Sequence, residues 1–267
     1  VGAPPPAPIP AAPQLRNDPV PNDPRGTKRT REERDAELEP SSEPVVKRAR
    51  TEPSVESLAC AQKILFEAIE AGDKKTVERL LSQCPGLRDA MRPDSTGETP
   101  LYCAVRLGQP AIVNVLLQSG GQPDARTRDG STPMMFAVLA GNVDMMELLY
   151  EAGADLLARA PLGATLLVCA AANNQLEVVC WLLEKDVSIY EPDNVGCTAL
   201  MRACLLRHFV VAKFLADWGA NLSFRNVFGN TCLTSAVSGG LHDVVQWLLE
   251  QGVPPDELDS IGMTPLL

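Results

Sequence analysis

The chain has 267 residues, 24 basic and 34 acidic side chains, a formal net charge of −10 and 45% apolar residues. Residues 1–59 hold 9 basic and 10 acidic side chains and residues 60–267 hold the other 15 and 24, so the first stretch carries −1 and the second −9. An acidic bulk of this kind argues against a general electrostatic footprint for nucleic acid or an anionic membrane surface, and leaves protein partners open.

No apolar run approaches the ~20 residues of a membrane span, and the proline-rich start has no charged-then-apolar leader pattern. The expected location is the nucleus and/or cytoplasm. Val1 stands where an initiator Met would, and the chain stops five residues after Gly262, which gives the expectation of a piece of a longer protein. Cys60, Cys84, Cys103, Cys169, Cys180, Cys197, Cys204 and Cys232 form no C-x-x-C pair, and there are only two histidines, so zinc-ligand spacing is absent. Cys103 and Cys169 lie 66 residues apart in one repeat slot, which reads as reduced, structural core cysteine; a redox or metal role is the alternative.

Residues 1–24 are rich in proline and poor in large apolar side chains. Such a segment cannot offset its ordering entropy by burial and reads as a disordered spacer, or as a ligand for an SH3- or WW-type domain. A mixed-charge stretch, Lys28–Glu39, follows, and then the tetrad Lys47-Arg48-Ala49-Arg50 between Pro44 and Pro53. The tetrad resembles a nuclear-import signal that would engage an import receptor, with Lys28, Arg29 and Arg31 as a second basic cluster; a solvated charge cluster or a nucleic-acid tether are the alternatives. Residues 1–57 are assigned to this arm.

From about Val55 the composition changes. Ile64, Leu65, Ala68 and Ile69 share a helical face, Gly72-Asp73 breaks it, and Val77, Leu80 and Leu81 open a second helix. This pair, 58–93, has the polar outer face of an end unit. Then a pentad recurs: G-E-T-P-L at Gly97, G-S-T-P-M at Gly130, G-A-T-L-L at Gly163, G-C-T-A-L at Gly196, G-N-T-C-L at Gly229 and G-M-T-P-L at Gly262, each step 33 residues. Six matches in one frame signal stacked repeats, starting near 94, 127, 160, 193 and 226, with a truncated one near 259. In each unit the Gly begins a turn, Thr and Pro open a helix with a central Ala, and a second helix carries apolar residues at i, i+3 and i+4, as at Val178, Trp181 and Leu182.

These features resemble the ankyrin repeat, with its G-x-T-P-L-H-x-A-A-x-x-G-H and L-L-E-x-G-A-D-V-N motifs. The closing motif reads L-L-Q-S-G-G-Q-P-D at 116–124 and L-Y-E-A-G-A-D-L-L at 149–157. The resemblance covers about 58–267 and implies an all-α repeat solenoid of helix-turn-helix units with hairpin-like loops. The His of the family motif is Tyr102, Met135, Val168, Met201 and Thr234 here, so its hydrogen bond between loops is expected to be missing. The Thr-Pro step becomes Thr165-Leu166, Thr198-Ala199 and Thr231-Cys232, and Asp186 and Ser188 replace the usual Gly and Asp. The central units are therefore expected to be the less stable ones through weaker turn and capping chemistry. The loop Asn that asparaginyl hydroxylases modify is Asp124, Leu157, Tyr190, Ser223 and Asp256, so that modification is not expected.

Nothing here reads as an active site. His208 and His242 sit near second-helix starts with no nucleophile motif, and the Gly pairs 120–121 and 239–240 fall at repeat turns. No cofactor and no metal are expected. The resemblance implies a protein-binding surface of loop tips and first helices. Arg92, Arg126, Arg128 and Arg159 fall on the first tips, and Leu162, Val195, Leu205, Leu206, Val227 and Phe228, with Arg225, on later units; apolar residues beside arginines have the composition of an interface hot spot, unless some bury against neighbouring loops. The expectation is a non-catalytic interaction scaffold or adaptor with a nuclear-import arm. Two other readings are the substrate-recognition arm of a larger enzyme (ubiquitin ligase, kinase or acyltransferase) and a microbial effector imitating host ankyrin proteins.

Overall fold

The computed structural model describes residues 55–161 and 163–255, which belong to one compact unit. The basic clusters at 28–31 and 47–50, Leu162, and the last pentad at Gly262 lie outside the described residues.

Among the described residues there are twelve α-helices, one 3-10 turn at Pro85–Asp89 and no strand. The first helix, α1 (Val55–Glu70), begins three residues before the boundary placed at 58 and pairs with α2 (Lys74–Gln83). Five further pairs follow: α3 (Pro100–Arg106) with α4 (Pro110–Gln118), α5 (Pro133–Ala140) with α6 (Val143–Glu151), α7 (Leu166–Ala172) with α8 (Leu176–Glu184), α9 (Ala199–Leu205) with α10 (Phe209–Asp217), and α11 (Cys232–Ser238) with α12 (His242–Glu250). First helices pack in sequence, α1 on α3 on α5 on α7 on α9 on α11, and second helices form a parallel layer from α2 to α10. Each unit meets its neighbours in the array, as the fixed repeat period requires.

The stacking is possible because each first helix puts a small residue at its centre. Ala104, Ala137, Ala170, Ala203 and Ala236 are all fully buried, so neighbouring helices approach closely around them. Larger apolar side chains from the second helices, among them Leu116, Met146, Leu182, Leu215 and Leu248, fill the layer between. Of the cysteines, Cys103, Cys197, Cys204 and Cys232 are buried in this layer, Cys84, Cys169 and Cys180 are half-buried, and Cys60 is exposed; all eight are free thiols. The core reading thus holds for four of them.

The helix starts are more uniform than the loss of Thr-Pro suggests. Thr99, Thr132, Thr165, Thr198 and Thr231 each sit in extended backbone, and each hydroxyl accepts a hydrogen bond from the amide three residues on. Losing proline at the next position leaves that cap intact, because proline there only presets an angle. The family's His slot is also not everywhere silent. Met135 Sδ accepts from the Thr132 amide at 3.4 Å and Thr234 Oγ1 accepts from the Thr231 amide at 2.7 Å, closing the cap from both sides.

What separates the central units is how their helices end. First helices are closed by a residue in the left-handed region, Gly108, Gly141 and Gly240 in three units, but Asn174 (φ 58°) and Arg207 (φ 68°) in the third and fourth. Asp186 (φ 59°) does the same after α8, where α4, α6, α10 and α12 are followed by glycine. These are the three described non-glycine residues with positive φ, a backbone that costs a side-chain-bearing residue roughly 1–2 kcal/mol.

Candidate functional site

The tips that precede each first helix are built alike. In four of them, starting at Thr127, Ala160, Asp193 and Asn226, the first amide donates to the carbonyl four residues on at 2.9–3.0 Å. The pentad Gly amide donates back to the first carbonyl at 2.7–2.9 Å. Asp193 and Asn226 also fold their side chains under the turn. Asp193 Oδ1 accepts from the amides of Val195 and Cys197, and Asn226 Oδ1 from those of Phe228 and Asn230. The result is a row of rigid tips facing the first helices across a groove.

Three arginines expected to face a partner hold the tips as well. Arg126, Arg159 and Arg225, exposed and spaced 33 and 66 residues apart, each donate to the carbonyl of the pentad glycine of their own tip, at 2.7, 2.9 and 3.0 Å. Arg128 is exposed; its amide donates to the Thr96 carbonyl of the preceding tip at 3.1 Å. Arg92 is tied into the first unit by Glu70, Asp94 and Glu98 and lies over the Phe66 ring, 4.7 Å from its centre.

The apolar members of the expected set are on the surface. Val227 and Phe228 are 65% and 57% exposed, Leu205 and Leu206 are exposed at the end of α9, and Val195 is exposed on the fourth tip. The alternative that they bury against neighbouring loops does not hold for these five. The amide of Val227 donates to the Val195 carbonyl at 3.1 Å, so the fourth and fifth tips bring these two side chains onto adjacent rungs. The set lacked Leu139, exposed at the end of α5 and 66 residues before Leu205, twice the repeat period. The register alone would have found it.

Between these residues lies a hollow of about 410 Å3, lined by Pro161 and Ala164 of the third tip, by Asp193, Asn194 and Val195 of the fourth, and by Val168, Cys169, Ala172, Asn173, Arg202 and Leu206 of α7 and α9 and their ends. Arg202 closes one side of it. Its guanidinium donates through Nε and Nη2 to Asp193 Oδ2, the carboxylate being 3% exposed and the guanidinium 30%. Burial pushes the Asp193 carboxyl up, and the bonds from Arg202 and from the Cys197 and Val195 amides outweigh it, leaving the group below the usual aspartate range. Burial pushes the Cys169 thiol up, so it lines the hollow as a neutral group at pH 7.

Charge is sorted between the two helix layers. The first helices α3, α5, α7, α9 and α11 carry Arg106 and Arg202 and no acidic residue. The second helices α6, α8, α10 and α12 carry Asp144, Glu147, Glu151, Glu177, Glu184, Asp217, Asp243 and Glu250 against Lys213. Within the two helix layers of these units the acidic side chains therefore sit on the second helices, away from the groove. His208 is not a surface residue with free nitrogens, since its Nε2 lies 3.0 Å from the Ala172 carbonyl oxygen and ties α10 to α7. His242 is exposed. No helix among the described residues is long and apolar enough to cross a membrane.

A solenoid of helix pairs with a groove between rigid tips and a nearly acid-free helix layer defines a repeat protein that recognises its partners through a surface. The family model for ankyrin repeats in three copies matches residues 43–127, 65–160, 119–193 and 158–226, and the single ankyrin-repeat model matches 228–260. The chain belongs to the ankyrin-repeat family. In Mus musculus, the protein fem-1 homolog A-like is 37% identical over 70 residues, which is 26% of this chain and 11% of the mouse protein. The chain thus spans about a tenth of the curated relative it matches. The crystal structure of the ankyrin repeat domain of Bcl-3, a unique member of the IkappaB protein family, superposes with a TM-score of 0.68 at 28% identity, covering 76% of this chain and 91% of that one. The fold is that of a protein–protein interaction module.

Proposed function

We propose that the array is a non-catalytic adaptor that takes a segment of a partner protein along the groove, across the second to fifth units. The observation that carries this is the joint placement of exposed Leu139, Val195, Leu205, Leu206, Val227 and Phe228 on or at the ends of first helices that carry no acidic residue and on the tips beside them. An apolar floor bordered by arginines supplies the anchors from which interface affinity comes. The likeness to the Bcl-3 domain, which extends over nine-tenths of that domain, supports reading the groove as a whole recognition surface.

The test starts with partners recovered on the full chain and identified by mass spectrometry. Phe228→Ala with Leu205→Ala is expected to weaken the recovered partner by more than ~1 kcal/mol, at least about fivefold in Kd, while the array stays folded. Unchanged affinity would refute the assignment of the surface. The nuclear role rests on Lys47, Arg48 and Arg50, and its test is separate. A fluorescent fusion with all three changed to Ala is expected to lose nuclear enrichment, and an unaltered distribution would make the tetrad a solvated charge cluster.

A further inference from the structure

We infer that the hollow between α7 and α9 is an anchor site for one large apolar side chain of the partner segment, of leucine, methionine or phenylalanine kind, with a carboxylate within two residues of it. This rests on the groove reading above and states where in the groove the segment is held. The hollow is written into the repeat register. Leu139, Ala172 and Leu205 occupy the same position in three successive first helices, 33 residues apart, and both leucines stand exposed in the groove. At Ala172 the leucine is missing, because α7 reads L-L-V-C-A-A-A, and the space that side chain would take is part of the 410 Å3 recess. Its walls at Val168, Cys169, Val195 and Leu206 are apolar, so water there gains few hydrogen bonds and an aliphatic or aromatic group displaces it with profit in dispersion and burial.

The charge around the recess selects the rest of the segment. Its one carboxylate, Asp193, is buried and locked onto Arg202, so it repels little. Arg207, next after Leu206, is exposed; its guanidinium donates to the Gly239 carbonyl, and among the described residues it makes no ion pair. A carboxylate beside the apolar anchor finds that cation, whereas a lysine or arginine there finds no free acid on the first helices.

The probe is a displayed library of random dodecapeptides selected on the full chain, the enriched peptides then being labelled and titrated by fluorescence anisotropy. Ala172→Leu fills the recess with the residue that the neighbouring units already carry, and Cys169→Leu fills it from the other wall should the first variant melt early by circular dichroism. The expected peptides share an apolar residue within two positions of Asp or Glu. Their affinity should fall at least tenfold with Ala172→Leu and several-fold with Arg207→Gln. Peptides weakened by the Leu205→Ala, Phe228→Ala pair but indifferent to Ala172→Leu would overturn the anchor and leave the groove standing. Peptides indifferent to every variant would overturn both, and enrichment of Lys- or Arg-rich sequences, or no enrichment at all, would overturn the anchor with its acidic neighbour.

Discussion

The Arg159 guanidinium of the third tip donates to the Pro192 carbonyl of the fourth at 2.7 Å. The same nitrogen reaches the Gly163 carbonyl at 2.9 Å, and the other terminal nitrogen meets Glu191 at 2.7 Å. Arg126 spans the second and third tips in the same way, reaching the Arg159 carbonyl at 3.3 Å. Backbone bonds join the first tip to the second and the fourth to the fifth, through Arg128 with Thr96 and Val227 with Val195. In the middle of the row, arginine side chains make the join.

Arg159→Ala is therefore expected to destabilise the array by about 1–2 kcal/mol, the worth of charge-assisted bonds at a partly exposed site. Lysine cannot fork to two carbonyls and a carboxylate at once, so Arg159→Lys should recover less than half of the loss. Urea denaturation of the three proteins decides it. A lysine variant with the wild-type midpoint would mean that the arginine acts as a point charge and does not clamp the tips.

Asp193→Asn isolates the ion pair at the wall of the recess. Asn226 makes the same turn bonds one unit later, so asparagine fits the tip and only the charge opposite Arg202 is lost. The Asp193 pKa is held below its unfolded value, so its contribution is present in full above roughly pH 4 and is lost as pH falls through the lower folded value. Wild type should exceed the variant by about 1–2 kcal/mol at pH 7, and the gap should close in acid. A gap that does not narrow as the pH falls from 7 through the unfolded aspartate value and on into acid would assign the difference to packing.

Asp186→Gly removes a side chain from the left-handed position after α8 that Gly120, Gly153, Gly219 and Gly252 hold in the other units. Asp186 is exposed, so little packing is lost, and the array should gain up to about 1 kcal/mol. Native-state hydrogen exchange should show the gain first in amides of 160–240, the region expected to open most readily. If those amides are already the best protected in the wild type, the central units are not the soft part of the array.

The period of 33, the helix pairs and the central alanines were all legible in the chain because they are local patterns of spacing. The tip arginines were legible as exposed cations but not as clamps, since their acceptors are mostly backbone carbonyls of their own tip and, for Arg126 and Arg159, of the next one, contacts with no signature in residue type. Capping was misjudged for a related reason. Proline is the conspicuous letter of Thr-Pro, but the threonine hydroxyl makes the bond, and it is kept at all five described starts. The recess at Ala172 was hidden because an alanine in an alanine-rich helix reads as core, and only the stacking of Leu139 and Leu205 on either side shows what is missing there.

Gly196→Ala and Gly130→Ala share one backbone problem and differ in a second. Both glycines sit in the left-handed region, at φ 78° and 84°, so either alanine costs roughly 1–2 kcal/mol in conformation. A Cβ at Gly130 finds nothing nearer than Pro161 Cγ at 3.8 Å, while one at Gly196 comes within 2.9 Å of the Val227 amide nitrogen and 3.1 Å of Asn226 Cα. Backbone cannot turn aside as a side chain can, so Gly196→Ala must push the fifth tip off the fourth and break the bond from Val227 to Val195. The expected loss is greater by about 1 kcal/mol or more than for Gly130→Ala, from the bond and the strain together. The same displacement moves Val227 and Phe228, so peptide or partner binding should weaken with Gly196→Ala at temperatures where the array remains folded. Equal destabilisation by the two alanines, with binding unchanged, would show that the fourth and fifth tips are not held in register by this contact.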